Sequence, residues 1–136
     1  MKLKPIHKRR LLKLARFLRT EVAKREADGD LDLFDMFEWL RHDRNGHMHR
    51  RASLSCGTPA CAAGWATAIF PELTYSIAHQ HIHLRGEKCS RPWAVGFYDH
   101  IAKFFGLGRS VYQLFEPVHR AAEEEADLIE RFVKRS

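Results

Sequence analysis

Apolar residues recur at three- and four-residue spacing near both ends of this chain, a period that dictates helices with one face to bury. Over 6–27 the stripe is Leu11, Leu14, Ala15, Leu18 and Val22. Over 118–134 it is Val118, Ala121, Ala122, Leu128, Ile129, Phe132 and Val133. Further helical signals lie between them. Thr58 suits an N-cap and Pro59 a first helical position, which predicts a helix over 59–70. Ala60, Ala62, Ala63, Gly64, Ala66 and Ala68 make that helix small-sided and open to close approach. Ala94, Phe97, Ile101, Phe104 and Phe105 form one face of a helix over 93–105, and Gly106 ends it. A short helix is expected near 31–42, crowded with Leu33, Phe34, Met36, Phe37, Trp39 and Leu40 and capped by Asp30. Ser110 to Gln113 reads as a capping box for another helix through Phe115.

The remaining segments are less regular. Asn45-Gly46 marks a turn within a loop over 43–57. Residues 72–89 are ambiguous: Leu73 to His79 fits a helix, while His81-Ile82-His83-Leu84 alternates like a strand. The expectation is an all-α chain, a compact single-domain bundle of five to seven helices over 1–136, with room for one short strand or hairpin near 79–91. A length of 136 residues suffices to bury a core in one domain. No stretch reaches the roughly 18 apolar residues of a membrane span. Three cysteines are too few and odd in number for a disulfide framework. The opening run superficially resembles a secretory leader, but Lys13, Arg16 and Arg19 break its apolar region. A reducing, cytoplasmic setting with free thiols is therefore expected.

The net charge is +6, unevenly placed. Residues 1–25 hold ten basic side chains against Glu21 alone, and 26–38 then carry six acids and no base. A second basic patch contains Arg41, Arg44, Arg50 and Arg51, and the last helix is acidic through Glu123, Glu124, Glu125, Asp127 and Glu130. On the first helix, Arg9, Lys13, Arg16 and Lys24 fall opposite the apolar stripe. With Arg50 and Arg51 they are the candidate contacts to an acidic partner, either a nucleic acid or a protein. A solvated helix face explains the same residues more plainly. No sequence-specific DNA-reading motif accompanies them.

The sharpest chemical candidate is Cys56-Gly57-Thr58-Pro59-Ala60-Cys61. With Thr58 as cap, Cys61 occupies the first helical turn, where unpaired N–H groups favour a thiolate. Cys61 or Cys56, with a histidine as base, would then be a nucleophile. The competing reading is a small buried hydrophobe. Zinc is the second possibility, from Cys56, Cys61 and two of His79, His81 and His83, with Cys89 nearby. Otherwise no cofactor is expected. A disulfide between Cys56 and Cys61 would close too short a loop to constrain much. Glu125 falls in the middle of the last helix's apolar face, where a carboxylate must pair, reach the rim or titrate abnormally. An ion pair with an arginine of the first helix is expected, and general-base chemistry is the lesser reading. Asp28-Gly29-Asp30-Leu31-Asp32 fails as a calcium loop because its glycine and terminal acid are misplaced.

Three pieces together carry a resemblance: Phe34-Asp35-Met36 with Trp39; Cys56-Gly57-Thr58-Pro59-Ala60-Cys61-Ala62-Ala63-Gly64-Trp65-Ala66; and Phe105-Gly106-Leu107 with Leu114-Phe115-Glu116-Pro117. The pattern resembles one in small proteins of phages and bacterial mobile elements, and spans roughly residues 34–117. The resemblance implies a helical fold and a place in the cytoplasm of a bacterial host cell. It implies no reaction. Small phage proteins often inhibit host defences, anti-CRISPR action among them. The leading expectation is thus a non-catalytic binding module docking on a nucleic acid or on a host protein that handles nucleic acid. The alternatives are a cysteine-dependent enzyme and a zinc-stabilised structural domain.

Overall fold

The computed structural model describes residues 2–29, 32–38, 50–54, 59–77, 81–87 and 98–136. The chain there is mostly helical, with one small antiparallel sheet. Helix α1 (Pro5–Phe17) runs without interruption through a π-helical turn (Leu18–Val22) into α2 (Ala23–Asp28). Pro5 sits at the start, where its missing N–H is no loss. Within the widened turn the Thr20 hydroxyl donates to the Arg16 carbonyl at 2.8 Å, competing with the helical ladder. Leu11, Leu14, Ala15, Leu18 and Val22 are all fully buried, as the stripe requires. Gly29 closes the rod in an extended conformation.

Helix α3 (Ala62–Ile69) starts later than the sequence suggests. Pro59 and Ala60 are extended, because Ala60 forms a parallel bridge with Phe34. Its amide donates to the Leu33 carbonyl at 3.1 Å, and its carbonyl accepts from Asp35 at 3.0 Å. Cys61 is therefore the N-cap, and its Sγ accepts from the Gly64 amide at 3.4 Å. The same bridge corrects the helix expected near 31–42, as far as 32–38 are concerned. Both the Leu33 and Phe34 amides donate to the Glu26 carboxylate, at 2.9 and 3.1 Å. The Asp35 carboxylate takes the Phe37 amide at 2.9 Å. With these donors engaged outside any helical ladder, the segment is an extended piece followed by a turn. The rest of that expected helix lies outside the described residues. Trp65, completely buried on α3, fastens the segment by donating from Nε1 to the Leu33 carbonyl at 2.6 Å.

The ambiguous stretch resolves into a hairpin, β1 (Leu73–Ser76) against β2 (His81–Leu84), with Thr74 opposite His83 and Tyr75 opposite Ile82. Leu73, Tyr75 and Ile82 face the core. The helical alternative for Leu73 onward is thus replaced by a strand, and the hairpin begins earlier than 79–91. Both outer edges are engaged. The Tyr75 amide donates to the Arg50 carbonyl at 2.8 Å, and the Leu84 amide donates to His100 Nδ1 at 2.9 Å.

Helix α4 (Asp99–Phe105) ends at Gly106 in the left-handed conformation, φ 66°, with His7 of α1 packed against it. Residues 93–97 of the expected helix lie outside the described set. A 3-10 turn (Gly108–Ser110) leads into α5 (Val111–Phe115). Ser110 is part of that turn, so its hydroxyl makes no cap and the expected capping box does not form. Helix α6 (Ala122–Arg135) has acids in its first turn and bases in its last, complementing its dipole. It packs along α1, where Arg19 donates to Asp127 at 2.7 Å and Glu130 at 3.0 Å. Phe70, Phe104, Phe105 and Phe115 form a chain of ring contacts through the shared core.

Candidate anion-binding surface

The cationic residues of the rod formed by α1, the π-helical turn and α2 divide into those the fold consumes and those it leaves. Arg10 donates to the Phe104 carbonyl at 2.8 Å, lies 4.0 Å over the Phe104 ring and sits 4.0 Å from Glu72. Arg19 is held by the two acids of α6, which raise its pKa through hydrogen bonding. Arg9, Lys13, Arg16 and Lys24 are exposed and make no ion pair among the described residues. They lie opposite the buried stripe, over about 22 Å of helix axis at about 1.5 Å per residue.

Lys13 Nζ lies 5.3 Å from the centre of the Phe70 ring, which carries the basic surface beyond the helix. There it meets the corner after α3. The Arg51 guanidinium donates to the carbonyls of Thr67 at 2.5 Å, Phe70 at 3.2 Å and Pro71 at 2.8 Å. The Thr67 carbonyl is one that the C-terminus of α3 leaves unpaired, and Phe70 and Pro71 follow it, so Arg51 is first a clamp on the end of α3. Its neighbour Arg50 is exposed. Past the corner, the Arg85 amide donates to the Glu72 carbonyl at 2.7 Å, setting Arg85 after β2.

Between these groups lies a cleft of about 510 Å³ lined by Arg50, Arg51, Thr74, His83, Arg85 and Gly86. Thr74 and His83 pair across the hairpin and so share its polar face. Gly86 turns the chain with φ 83°, and a side chain there would meet nothing within 4 Å. Arg50 and Arg85 make no ion pair among the described residues. The nearest acids in sequence are turned elsewhere: Glu87 pairs with Lys103 at 2.7 Å, and Glu72 faces Arg10. Glu87 stays below its usual carboxylate range through the Lys103 hydrogen bond.

The histidines separate. His79 lies outside the described residues. His81 is buried and His83 half-buried on β2, and both rings face His100 of α4, with centroids 6.2 and 6.0 Å apart. Burial holds the His100 pKa below the usual histidine range, against a smaller raising effect of Glu87. Its Nδ1 accepts the Leu84 amide hydrogen, which suits the neutral ring. No group of three or more His, Cys, Asp or Glu among the described residues could hold a metal ion. Of the proposed zinc ligands, Cys56 and Cys89 also lie outside the described residues.

Cys61 is buried, and burial pushes its thiol up to about 12. The Gly64 and Ala63 backbone groups lower it only in part, and the Glu125 charge adds to the rise. The burial accords with the small-hydrophobe reading of Cys61 and weighs against the thiolate, because desolvation opposes the helix N-terminus. No described histidine hydrogen-bonds to Cys61. Glu125, fully buried on α6, pairs with Arg120 at 2.5 Å, not with an arginine of the first helix. Its Oε2 has no hydrogen-bond partner among the described residues. Burial raises its pKa to about 7, against the opposing Arg120 charge. Sequence reasoning placed Glu125 correctly within the apolar face and missed both its partner and the roles of Arg85 and His100.

No helix among the described residues is long and apolar enough to cross a membrane. No protein family, curated protein or solved structure matches the chain.

Proposed function

We propose that this chain is a single helical, non-catalytic binding module that docks on the phosphate backbone of a nucleic acid, as a phage or mobile-element accessory protein in a bacterial cytoplasm. The observation that carries the reading is the selective pairing along the rod of α1, the π-helical turn and α2. Arg10 and Arg19 are consumed by the fold, while Arg9, Lys13, Arg16 and Lys24 remain exposed without acids along one stripe. One duplex strand presents a phosphate about every 3.4 Å of axis, so the stripe spans roughly six phosphates. Flexible cations on one helix face suit backbone contact without base reading. The burial of Cys61, which raises its thiol pKa, favours this module over an enzyme that uses Cys61 as nucleophile; Cys56 lies outside the described residues.

Fluorescence anisotropy with labelled duplex DNA, duplex RNA and single strands tests it across a salt series. Binding should weaken linearly in log–log form. The R9A/K13A/R16A variant should flatten the slope by about three, roughly one for each lost contact. Salt-independent binding, equal binding to polyglutamate, or an unchanged slope in the variant would refute the reading. Interference with a host defence system such as CRISPR would be one use of such docking, and depends on the same stripe.

A further inference from the structure

We infer that the hairpin cleft is a separate binding site, a pocket for a phosphomonoester such as the terminal phosphate of a nucleotide. It does not depend on the docking stripe of α1, and either site can fail without the other.

The cleft gathers guanidinium groups that the fold has brought together from distant parts of the chain. Arg50 and Arg51 run beside β1 because the Tyr75 amide is held by the Arg50 carbonyl. Arg85 follows β2 and is placed by the hydrogen bond that its backbone amide donates to the Glu72 carbonyl. Between them lie Thr74 and His83, both on the polar face of the hairpin. Arginine forks match the oxygens of carboxylates and phosphates. The charge decides between these two. Three arginines around one cleft exceed what a single-charged carboxylate needs, whereas a phosphomonoester carries nearly two negative charges and three acceptor oxygens.

The surrounding acids support the same conclusion. Glu72 and Glu87 flank the cleft in sequence, yet one is directed at Arg10 and the other is fixed by Lys103. Arg51 spends its donors on the end of α3, so it contributes positive field more than hydrogen bonds. Arg50 and Arg85 keep theirs. The cleft, about 510 Å³ and open to solvent, is wider than a bare phosphate. At Gly86, on the turn side of the cleft, a Cβ would meet nothing within 4 Å among the described residues.

Isothermal titration with 5′-AMP, adenosine and inorganic phosphate tests the pocket. AMP should bind at one equivalent, with adenosine at least about tenfold weaker, the difference an anchoring phosphate supplies. The R50A/R85A variant should lose at least about tenfold in AMP affinity, and R9A/K13A/R16A should leave it unchanged. Equal binding of AMP and adenosine, no binding of AMP, or full AMP affinity in R50A/R85A would overturn the assignment. Circular dichroism establishes that the variant folds. If it does not, R50K/R85K keeps the charge and removes the forks, and undiminished AMP binding there overturns the proposal equally. Oligonucleotides with 5′-phosphate and 5′-hydroxyl ends separate the two sources. Tighter binding of the phosphorylated end assigns a strand terminus, and AMP binding without that preference assigns a free nucleotide.

Discussion

Glu125 offers the most direct test of how this core handles charge. Its side chain is completely buried; one oxygen is held by Arg120, and the other has no partner among the described residues. Burial lifts its pKa from 4.5 to about 7. A group raised on folding stabilises the protein fully below its unfolded value and loses that contribution as pH rises through the folded one. The window is therefore pH 4.5 to about 7. A rise of this size corresponds to about 3 kcal/mol at roughly 1.4 kcal/mol per unit. Glu125→Gln is neutral at every pH and keeps a carbonyl for Arg120. Urea denaturation of both proteins should show the stability difference, variant minus parent, growing by about 3 kcal/mol between pH 4.5 and about pH 8. The comparison of slopes removes any pH-independent consequence of breaking the pair, which would shift the variant by a constant amount. Profiles that stay parallel within about 0.5 kcal/mol would refute the argument, because burial would then not be opposing the charge.

Three further outcomes follow from particular contacts. Gly106→Ala should lower stability by more than about 2 kcal/mol in thermal or urea unfolding, because a Cβ there would clash with the His7 ring and the left-handed backbone adds strain. Arg51→Ala should lower the melting temperature by roughly 5 °C or more through loss of three carbonyl contacts, and Arg51→Lys should not restore it, since one ammonium cannot reproduce the fork. Cys61 should resist iodoacetamide at neutral pH and react only on unfolding, so that the labelling rate tracks the global opening equilibrium in native conditions.

Where the sequence was legible, the structural cause was local. The stripe of α1 is read from spacing alone, because a long helix buries whichever face is apolar. Glu125 was visible as an anomaly for the same reason. Its partner was not, since Arg120 precedes α6 and reaches back from outside the helical register. The segment at 32–38 misled because crowded apolar residues suit a helix as well as an extended piece. Its choice is made by the Glu26 carboxylate and by Ala60, a residue 26 positions beyond Phe34. Leu73 to Ser76 is too short for its alternation to exclude a helical turn, and only pairing with His81 to Leu84 decides it. The cleft was hidden most completely. Arg50 and Arg85 are far apart in the chain, and no periodicity links residues that meet across a hairpin. Cys61 is buried, as its reading as a small packing residue expects, and that burial raises the pKa of a thiol that its place at a helix N-terminus alone would lower.

The engaged edges of the hairpin have a consequence for behaviour at high occupancy. Two strands alone expose backbone groups that recruit strands from other molecules. Here the Arg50 carbonyl takes the Tyr75 amide on one side, and the His100 imidazole takes the Leu84 amide on the other. Under the proposed docking, copies crowded side by side on one polyanion would meet with these two edge amides already engaged. Dense loading should remain reversible on raising salt, instead of maturing into fibrous aggregates.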